Sequence, residues 1–240
     1  MAYNFITSKD NPYYKDIFKL KSGKFTNSLF LVEGEDLVKE AYLNSCLKEI
    51  IYIENYKPNN QYNGIKTTFF SECLFKSLTL RETTYQKVIG ICTKEYTEKL
   101  GKRCVYLDNL QDPGNVGTII RTSWAFKFSS LVLSLDSVSL YNSKVIQASK
   151  GAIFHLPIVR NDLPSIMNGY NIYLTCLDGK DINEVNELIE PFILVFGNEG
   201  KGIKKDYYNL GTRLRINISN FDSLNVASAA AIFLYKYSKR

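Results

Sequence analysis

The sequence predicts an α/β protein of two domains, a small α/β unit followed by a larger one built on a mostly parallel sheet. Three observations carry that prediction. Short apolar runs alternate with helical or loop segments along the 240 residues, the succession expected of strands and helices. In the second half these runs are CVYLDNL (104–110), LVLSL (131–135), NIYLTCL (171–177), FILVFG (192–197) and LRINI (214–218), which read as strands buried in a parallel sheet. Between the halves, TKEYTEKLGKR (93–103) is polar and charged without an apolar period, so it is the linker candidate and sets the boundary near residue 98.

Taken in order, residues 9–24 read as a basic amphipathic helix, with Lys9, Lys15, Lys19 and Lys21 set among Tyr14, Ile17, Phe18 and Leu20. LFLVEG (29–34) is a strand ending at a glycine, 35–44 a helix and KEIIYIE (48–54) a second strand. Residues 67–78 hold a short strand and then a helix opening at Ser71, and QKVIGIC (86–92) is a further strand. The five strands of the second half, taken alone, describe a doubly wound Rossmann-like sheet, whose ligand sits at the carboxyl ends of the strands.

Composition narrows the class. Hydrophobic residues make up 45% and charged residues 22%, an ordinary globular balance. No segment approaches the apolar length of a membrane span and no leader pattern opens the chain, so the expectation is a cytoplasmic protein. Five scattered cysteines and a lone histidine, His155, point to neither a disulfide framework nor a metal site. The net charge of +6 divides as +2 before residue 101 and +4 after it; it permits a polyanionic partner without identifying one.

Three segments carry candidate chemistry. In LDNLQDPGNVGTIIRTSWAF (107–126) a strand is followed by a turn, and Asn115 sits where it could cap a helix running through Arg121. Both could reach a common phosphate or hydroxyl, since arginine offers a forked donor array, although spacing alone fits a capped helix with a surface arginine. LVFGNEGKGI (194–203) places Gly197, Gly200 and Gly202 after a strand, where the backbone can approach a ligand closely. It is neither a phosphate-binding P-loop nor a dinucleotide fingerprint, because its lysine precedes glycine and its glycine spacing differs. RINISNFDSLNVASAAAIFLYKY (215–237) reads as a strand ending near Ile218, a polar loop, and a small-residue helix opened by Ser223, with Asn225 at a helix mouth rich in backbone N–H groups.

In this order the segments resemble the SpoU (TrmH-like) family of the SPOUT superfamily of RNA methyltransferases. Its N-x-G-x-x-x-R segment is matched by Asn115, Gly117 and Arg121, its G-N-E-G-x-G loop by residues 197–202, and its S-L-N-V segment by residues 223–226. SKVIQASKGAIFHLPIV (143–159) is similar to the family's intervening stretch, and LFLVEGEDLVKEA (29–41) resembles its L30e-like substrate-binding domain. The resemblance implies a trefoil-knotted SPOUT catalytic domain over 99–240 behind an L30e-like RNA-binding domain over 1–98. It also implies transfer of a methyl group from S-adenosylmethionine to a ribose 2′-hydroxyl, with 23S ribosomal RNA favoured and transfer RNA as the alternative substrate, and a homodimer. A non-catalytic RNA-binding protein of the same fold is the rival reading, and intact motif residues argue against it.

The cofactor contacts so implied fall on Thr175, Gly197, Asn198, Gly202, Ile216, Ile218, Leu224 and Asn225. Where many relatives have a proline before the third motif, this chain has Asn217. Arg121 is assigned to the substrate phosphate or 2′-oxygen, Asn115 and Glu199 to organising the pocket, Ser223 and Asn225 to the ribose or cofactor edge. Lys9, Lys15, Lys19, Lys21 and Arg121 are the expected RNA contacts. A guanidinium with a pKa above about 12 is an awkward base, so positioning is preferred over proton abstraction for Arg121. His155 and Trp124 are read as packing residues, the histidine near the end of a strand.

Overall fold

The structure, a computed structural model, describes residues 4–21, 28–58, 62–80, 86–94 and 99–238. The chain separates into two compact units, Met1–Glu95 and Tyr96–Arg240. The boundary expected near residue 98 and the last three residues of the expected opening helix lie outside the described residues.

The first unit is a five-stranded sheet ordered β1-β4-β3-β5-β2, with β1 (Asn4–Ile6), β2 (Leu29–Glu33), β3 (Leu47–Ile53), β4 (Lys66–Phe70) and β5 (Val88–Thr93). Strands β1, β4 and β3 run parallel, and β5 runs antiparallel to both β3 and β2. Alternation along the strands turns Ile51, Ile53, Phe70, Ile89 and Ile91 to one face, where they meet Tyr14 and Ile17 of α1 (Pro12–Lys21) and Leu74, Phe75 and Leu78 of α3 (Glu72–Leu78). The opening helix starts later than expected. Asn11 accepts from the backbone N–H groups of Tyr13 (2.9 Å) and Tyr14 (3.4 Å), so the Asn-Pro pair starts the helix at Pro12 and leaves Lys9 in the preceding turn. Helix α2 (Glu35–Leu43) packs over β5, β2 and β3. At the start of α3 Ser71 makes no side-chain cap; the Glu54 carboxylate takes the Glu72 N–H instead, at 2.8 Å.

The second unit is a six-stranded, wholly parallel sheet ordered β11-β9-β10-β6-β7-β8. Its strands are β6 (Arg103–Leu107), β7 (Ser130–Leu133), β8 (Ile158–Arg160), β9 (Asn171–Asp181), β10 (Phe192–Phe196) and β11 (Thr212–Arg215). The apolar runs are explained by burial on both faces. Val105, Leu107, Leu131, Leu194 and Phe196 meet α4 (Pro113–Ala125), α5 (Ser143–Ser149) and α7 (Val226–Lys236), while Cys104, Tyr106, Val132, Leu174 and Val195 meet Leu163 of the short α6 (Leu163–Ile166), Ile203 and Tyr207. Removing each such aliphatic side chain from water contributes roughly 1.5–3 kcal/mol.

Four expectations are corrected. Strand β8 was not anticipated, because its three residues are too short to show a period. Strand β9 continues past residue 177 to Asp181, and β11 ends at Arg215 rather than near Ile218. His155 does not end a strand; it follows a 3₁₀ turn at Ala152–Phe154 and stacks on Trp124 with ring centroids 5.1 Å apart.

The strand order reverses between β6 and β10: β7 and β8 extend the sheet on one side, β10, β9 and β11 on the other. Such a switch point opens a crevice outside the carboxyl ends of the strands.

Candidate active site

Helix α4 begins where β6 delivers the chain at that crevice. Its cap is Asp112, not Asn115: the Asp112 carboxylate accepts the Asn115 N–H at 2.7 Å, with Pro113 in the first helical position. An aspartate three residues earlier outcompetes the asparagine for the cap, and this frees the Asn115 side chain to point elsewhere. Helix α7 is likewise capped by Asn225 rather than opened by Ser223. The Asn225 side-chain oxygen Oδ1 accepts from Ala227 N (2.9 Å) and Ser228 N (3.3 Å).

These two caps place three motif segments in one hydrogen-bonded chain. Asn225 Nδ2 donates to Asn115 Oδ1 at 3.1 Å, and Asn115 Nδ2 donates to Glu199 Oε1 at 3.1 Å. The direction is over-determined. Helix N–H groups require the oxygen of Asn225, the ionised carboxylate can only accept, and each amide is thereby held in one orientation. Residues 110 and 84 positions apart in sequence become neighbours at the crevice rim.

The glycine-rich segment after β10 is a closed turn. Asn198 and Gly202 exchange two backbone hydrogen bonds of 3.0 and 2.9 Å, while the Asn198 side chain accepts from the N–H groups of Gly200 and Lys201 and donates to the Asn109 carbonyl at 2.7 Å. Gly197 is required by this return: a Cβ there would lie 2.2 Å from Ile203 N and 2.3 Å from Gly202 C. Gly117 of the first motif has a different task, since a Cβ would meet Ala148 Cβ at 2.5 Å and the Val145 carbonyl at 2.6 Å; it lets α4 seat against α5.

Beyond the turn the far edge of the loop is fastened to β6. Asp108, fully buried, accepts the Lys204 N–H at 2.8 Å, and its other oxygen lies 3.8 Å from the Lys204 ammonium, which also pairs with Asp136 at 3.1 Å. Burial holds the Asp108 carboxyl above its ordinary pKa, opposed by the Lys204 N–H and ammonium.

Between β9, the glycine turn, the 216–225 loop and α7 lies a cavity of about 530 Å³. Thr175, Gly197, Asn198, Gly202, Ile216, Ile218, Leu224 and Asn225 all line it, as do Glu199 and Ser223. The corrected end of β11 explains how. In the extended stretch beyond it, Ile216 and Ile218 are half-buried against the cavity, and Asn217 between them is exposed. The Thr175 hydroxyl is not free for a ligand, because it donates to the Val195 carbonyl at 2.9 Å.

The lining also includes groups the sequence did not single out. Asp178 pairs with Arg213, whose guanidinium stands 5.8 Å from the Tyr208 ring centroid, and Asp178 and Tyr208 both face the cavity. No motif marks them: they meet because β9 outruns its apolar run and lies beside β11.

Arg121 stands apart. It is exposed on α4, makes no hydrogen bond or ion pair among the described residues, and is not part of the cavity wall. It lies six positions from Asn115, about 9 Å along the helix axis and about 120° around it. The opening lysines are exposed too, but engaged: Lys15 with Asp10 at 3.0 Å, Lys19 with Asp16 at 3.4 Å, and Lys21 with the Ser77 carbonyl at 2.8 Å. Lys9 is exposed in the turn before α1.

The cavity suits S-adenosylmethionine on its own evidence. Its volume falls within the range of cofactor pockets, its apolar walls (Phe196, Leu177, Ile216, Ile218, Leu224) match a purine, and the carboxylates of Glu199 and Asp178 face a ligand that carries a cation. Among the described residues no group of His, Cys, Asp or Glu could hold a metal ion.

A parallel sheet with a cofactor-sized cavity beyond the carboxyl ends of β9 and β10, bordered by a glycine turn and a cross-linked amide pair, has the form of an α/β nucleotide-cofactor protein. The model of the SpoU rRNA Methylase family matches residues 102–235. Across 96% of this chain and 97% of the relative, 35% of residues are identical to the 23S rRNA (guanosine(2553)-2′-O)-methyltransferase RlmP of Bacillus subtilis. A solved AdoMet-bound rRNA methyltransferase of Sinorhizobium meliloti superposes with a TM-score of 0.84 and 27% identity, covering 98% of this chain and 97% of that one. The AdoMet complex of AviRb from Streptomyces viridochromogenes, 21% identical over 94% of this chain and 96% of that one, shares the fold at a TM-score of 0.82. The chain belongs to the SpoU family and has the SPOUT fold: it is an S-adenosylmethionine-dependent RNA 2′-O-ribose methyltransferase.

Proposed function

We propose that this enzyme methylates a ribose 2′-hydroxyl of 23S ribosomal RNA, with the second unit as catalyst and the first, L30e-like unit as the RNA-binding module. The observation that carries the site assignment is the Asn225–Asn115–Glu199 chain, which joins all three motif segments at the mouth of the cofactor-sized cavity. The ribosomal substrate rests on the RlmP relative, similar across nearly its full length.

When bound, S-adenosylmethionine supplies the methyl group on its sulfonium. The protein's part is to seat the cofactor and bring a weak nucleophile into line with it. Backbone groups of the glycine turn and of Ile216, Ile218 and Leu224 hold the cofactor, with Thr175, Asn198 and Gly202 shaping the wall. Glu199, fixed by Asn115, places a negative charge beside the cationic ligand. Ser223 and Asn225 contact the ribose or cofactor edge, and Arg121, exposed on α4 outside the cavity wall, is assigned to the substrate phosphate or the developing charge on the 2′-oxygen.

The same reading includes a cytoplasmic homodimer formed through α4 and α7, whose outer faces expose Trp124, Ile232 and Tyr235. Light scattering of the purified protein checks the mass. The deciding experiment is transfer of labelled methyl from S-adenosylmethionine to unmodified ribosomal and transfer RNA, followed by digestion to alkali-resistant dinucleotides. Label in one 23S dinucleotide is expected. Label confined to transfer RNA would overturn the substrate, and cofactor binding without label in either would favour a non-catalytic RNA-binding protein.

A further inference from the structure

We infer that the β1-edge side of one face of the first unit's sheet, beyond the strands on which α2 packs, receives unpaired bases of the RNA substrate, on an aromatic row formed by Phe5, Phe69, Tyr52 and Tyr56. The inference rests on the RNA methyltransferase reading and adds where the RNA is held. Register makes the row. Phe5 of β1 pairs with Phe69 of β4, and Phe69 pairs with Tyr52 of β3, so the three side chains leave the same face of adjacent strands. Their neighbours Ile51, Ile53 and Phe70 point the other way, into the core beneath α1 and α3.

Helix α2 packs on β5, β2 and β3, at the far side of the sheet from β1. Towards the β1 edge the row emerges. Tyr52 is buried in the middle, Phe69 and Tyr56 on either side of it are half-buried, and Phe5 is 54% exposed. Tyr52 lies 5.6 Å from Phe69 and 5.5 Å from Tyr56, with interplanar angles of 34° and 37°, so the rings form tilted steps. Tyr56 is pinned by a 2.8 Å hydrogen bond from its hydroxyl to Glu35 and has the Lys87 ammonium 5.7 Å from its centroid.

An exposed phenylalanine continuing a row of fixed rings is the arrangement on which unpaired bases stack, while duplex RNA keeps its bases inaccessible to such a surface. Charge favours the same occupant. Exposed Lys57 and Lys87 flank Tyr56, and Glu35 beside them is already occupied by the tyrosine hydroxyl. The lysines of α1, the sequence's first choice for RNA, include Lys15 and Lys19 already paired with aspartates.

The test uses the full chain and 23S RNA carrying 4-thiouridine, with photocross-links mapped to peptides, beside steady-state kinetics of Phe5→Ala and Lys87→Glu. Expected are cross-links on Phe5, Phe69 or Tyr56, and for Phe5→Ala a KM for RNA raised on the order of 10-fold, the contribution of about one base stack, with kcat and cofactor affinity unchanged. Lys87→Glu should raise the same KM and leave transfer otherwise intact. Cross-links confined to α1, with wild-type KM in both variants, would overturn the inference while leaving the methyltransferase reading intact. Phe5→Ala that converts a dimer into a monomer would assign the face to a second copy and overturn it equally. Absence of methyl transfer to any RNA by the wild type fails the underlying reading instead. If Phe5→Ala does not fold, the Lys87→Glu kinetics and the wild-type cross-links decide.

Discussion

Replacing Gly197 by alanine is a direct trial of the glycine turn. The added Cβ would lie 2.2 Å from Ile203 N, 2.3 Å from Gly202 C and 2.7 Å from the Gly202 carbonyl oxygen, all of them backbone atoms that no rotamer change can clear. Restoring van der Waals separation requires the returning strand of the turn to move by about 1 Å. That movement strains or breaks the two Asn198–Gly202 hydrogen bonds, each worth about 1 kcal/mol, and shifts the cavity wall formed by residues 197–203. A loss of about 2 kcal/mol in cofactor binding corresponds to about 30-fold in Kd. Gly202→Ala is the internal comparison: its Cβ meets nothing within 4 Å, and only its φ of +70° penalises a side chain, by roughly 1–2 kcal/mol of local strain. Calorimetric titration of S-adenosylmethionine into both variants, with thermal unfolding alongside, should therefore rank Gly197→Ala well below Gly202→Ala. Wild-type cofactor affinity in Gly197→Ala, or the reverse ranking, would refute the account of the turn as a backbone cradle.

Other outcomes follow from the same geometry. Arg121→Ala should lower turnover by about 100-fold or more while leaving cofactor affinity and melting temperature unchanged, because the side chain is exposed and outside the cavity wall; near-normal single-turnover rates would remove it from the chemistry. Asn225→Asp keeps the acceptor that caps α7 but loses the donor to Asn115, so it should impair transfer with little loss of stability, whereas Asn225→Ala should also cost about 1 kcal/mol in denaturant unfolding. Equal stability of the two variants would show that the cap contributes nothing. For Asp108, burial raises the folded pKa above the unfolded value, so its contribution favours the fold below the unfolded pKa and is lost as pH rises through the folded one. The stability of Asp108→Asn relative to wild type should accordingly improve as pH rises across that interval, and a pH-independent difference would contradict the burial argument.

The sequence alone determined the class of the fold and the family. Strands buried on both faces leave continuous apolar runs, and a family's motif residues survive as letters in order, so the parallel sheet and the three segments were legible. Local chemistry was less so. Asp112 and Asn225 took the caps assigned to Asn115 and Ser223, because competing side chains a few residues apart all carry a cap's signature and only backbone geometry chooses among them. The ends of β9 and β11 were misplaced for a related reason: pairing with a neighbouring strand, which no local period records, extends one and stops the other. What tertiary structure decided was convergence. Asn115, Glu199 and Asn225 form one hydrogen-bonded chain, Asp178 and Tyr208 enter the cavity wall, and Phe5 aligns with Phe69, because sheet order and register bring distant segments together. Long-range contacts of that kind depend on the packing of the whole sheet, and a linear pattern carries no record of them.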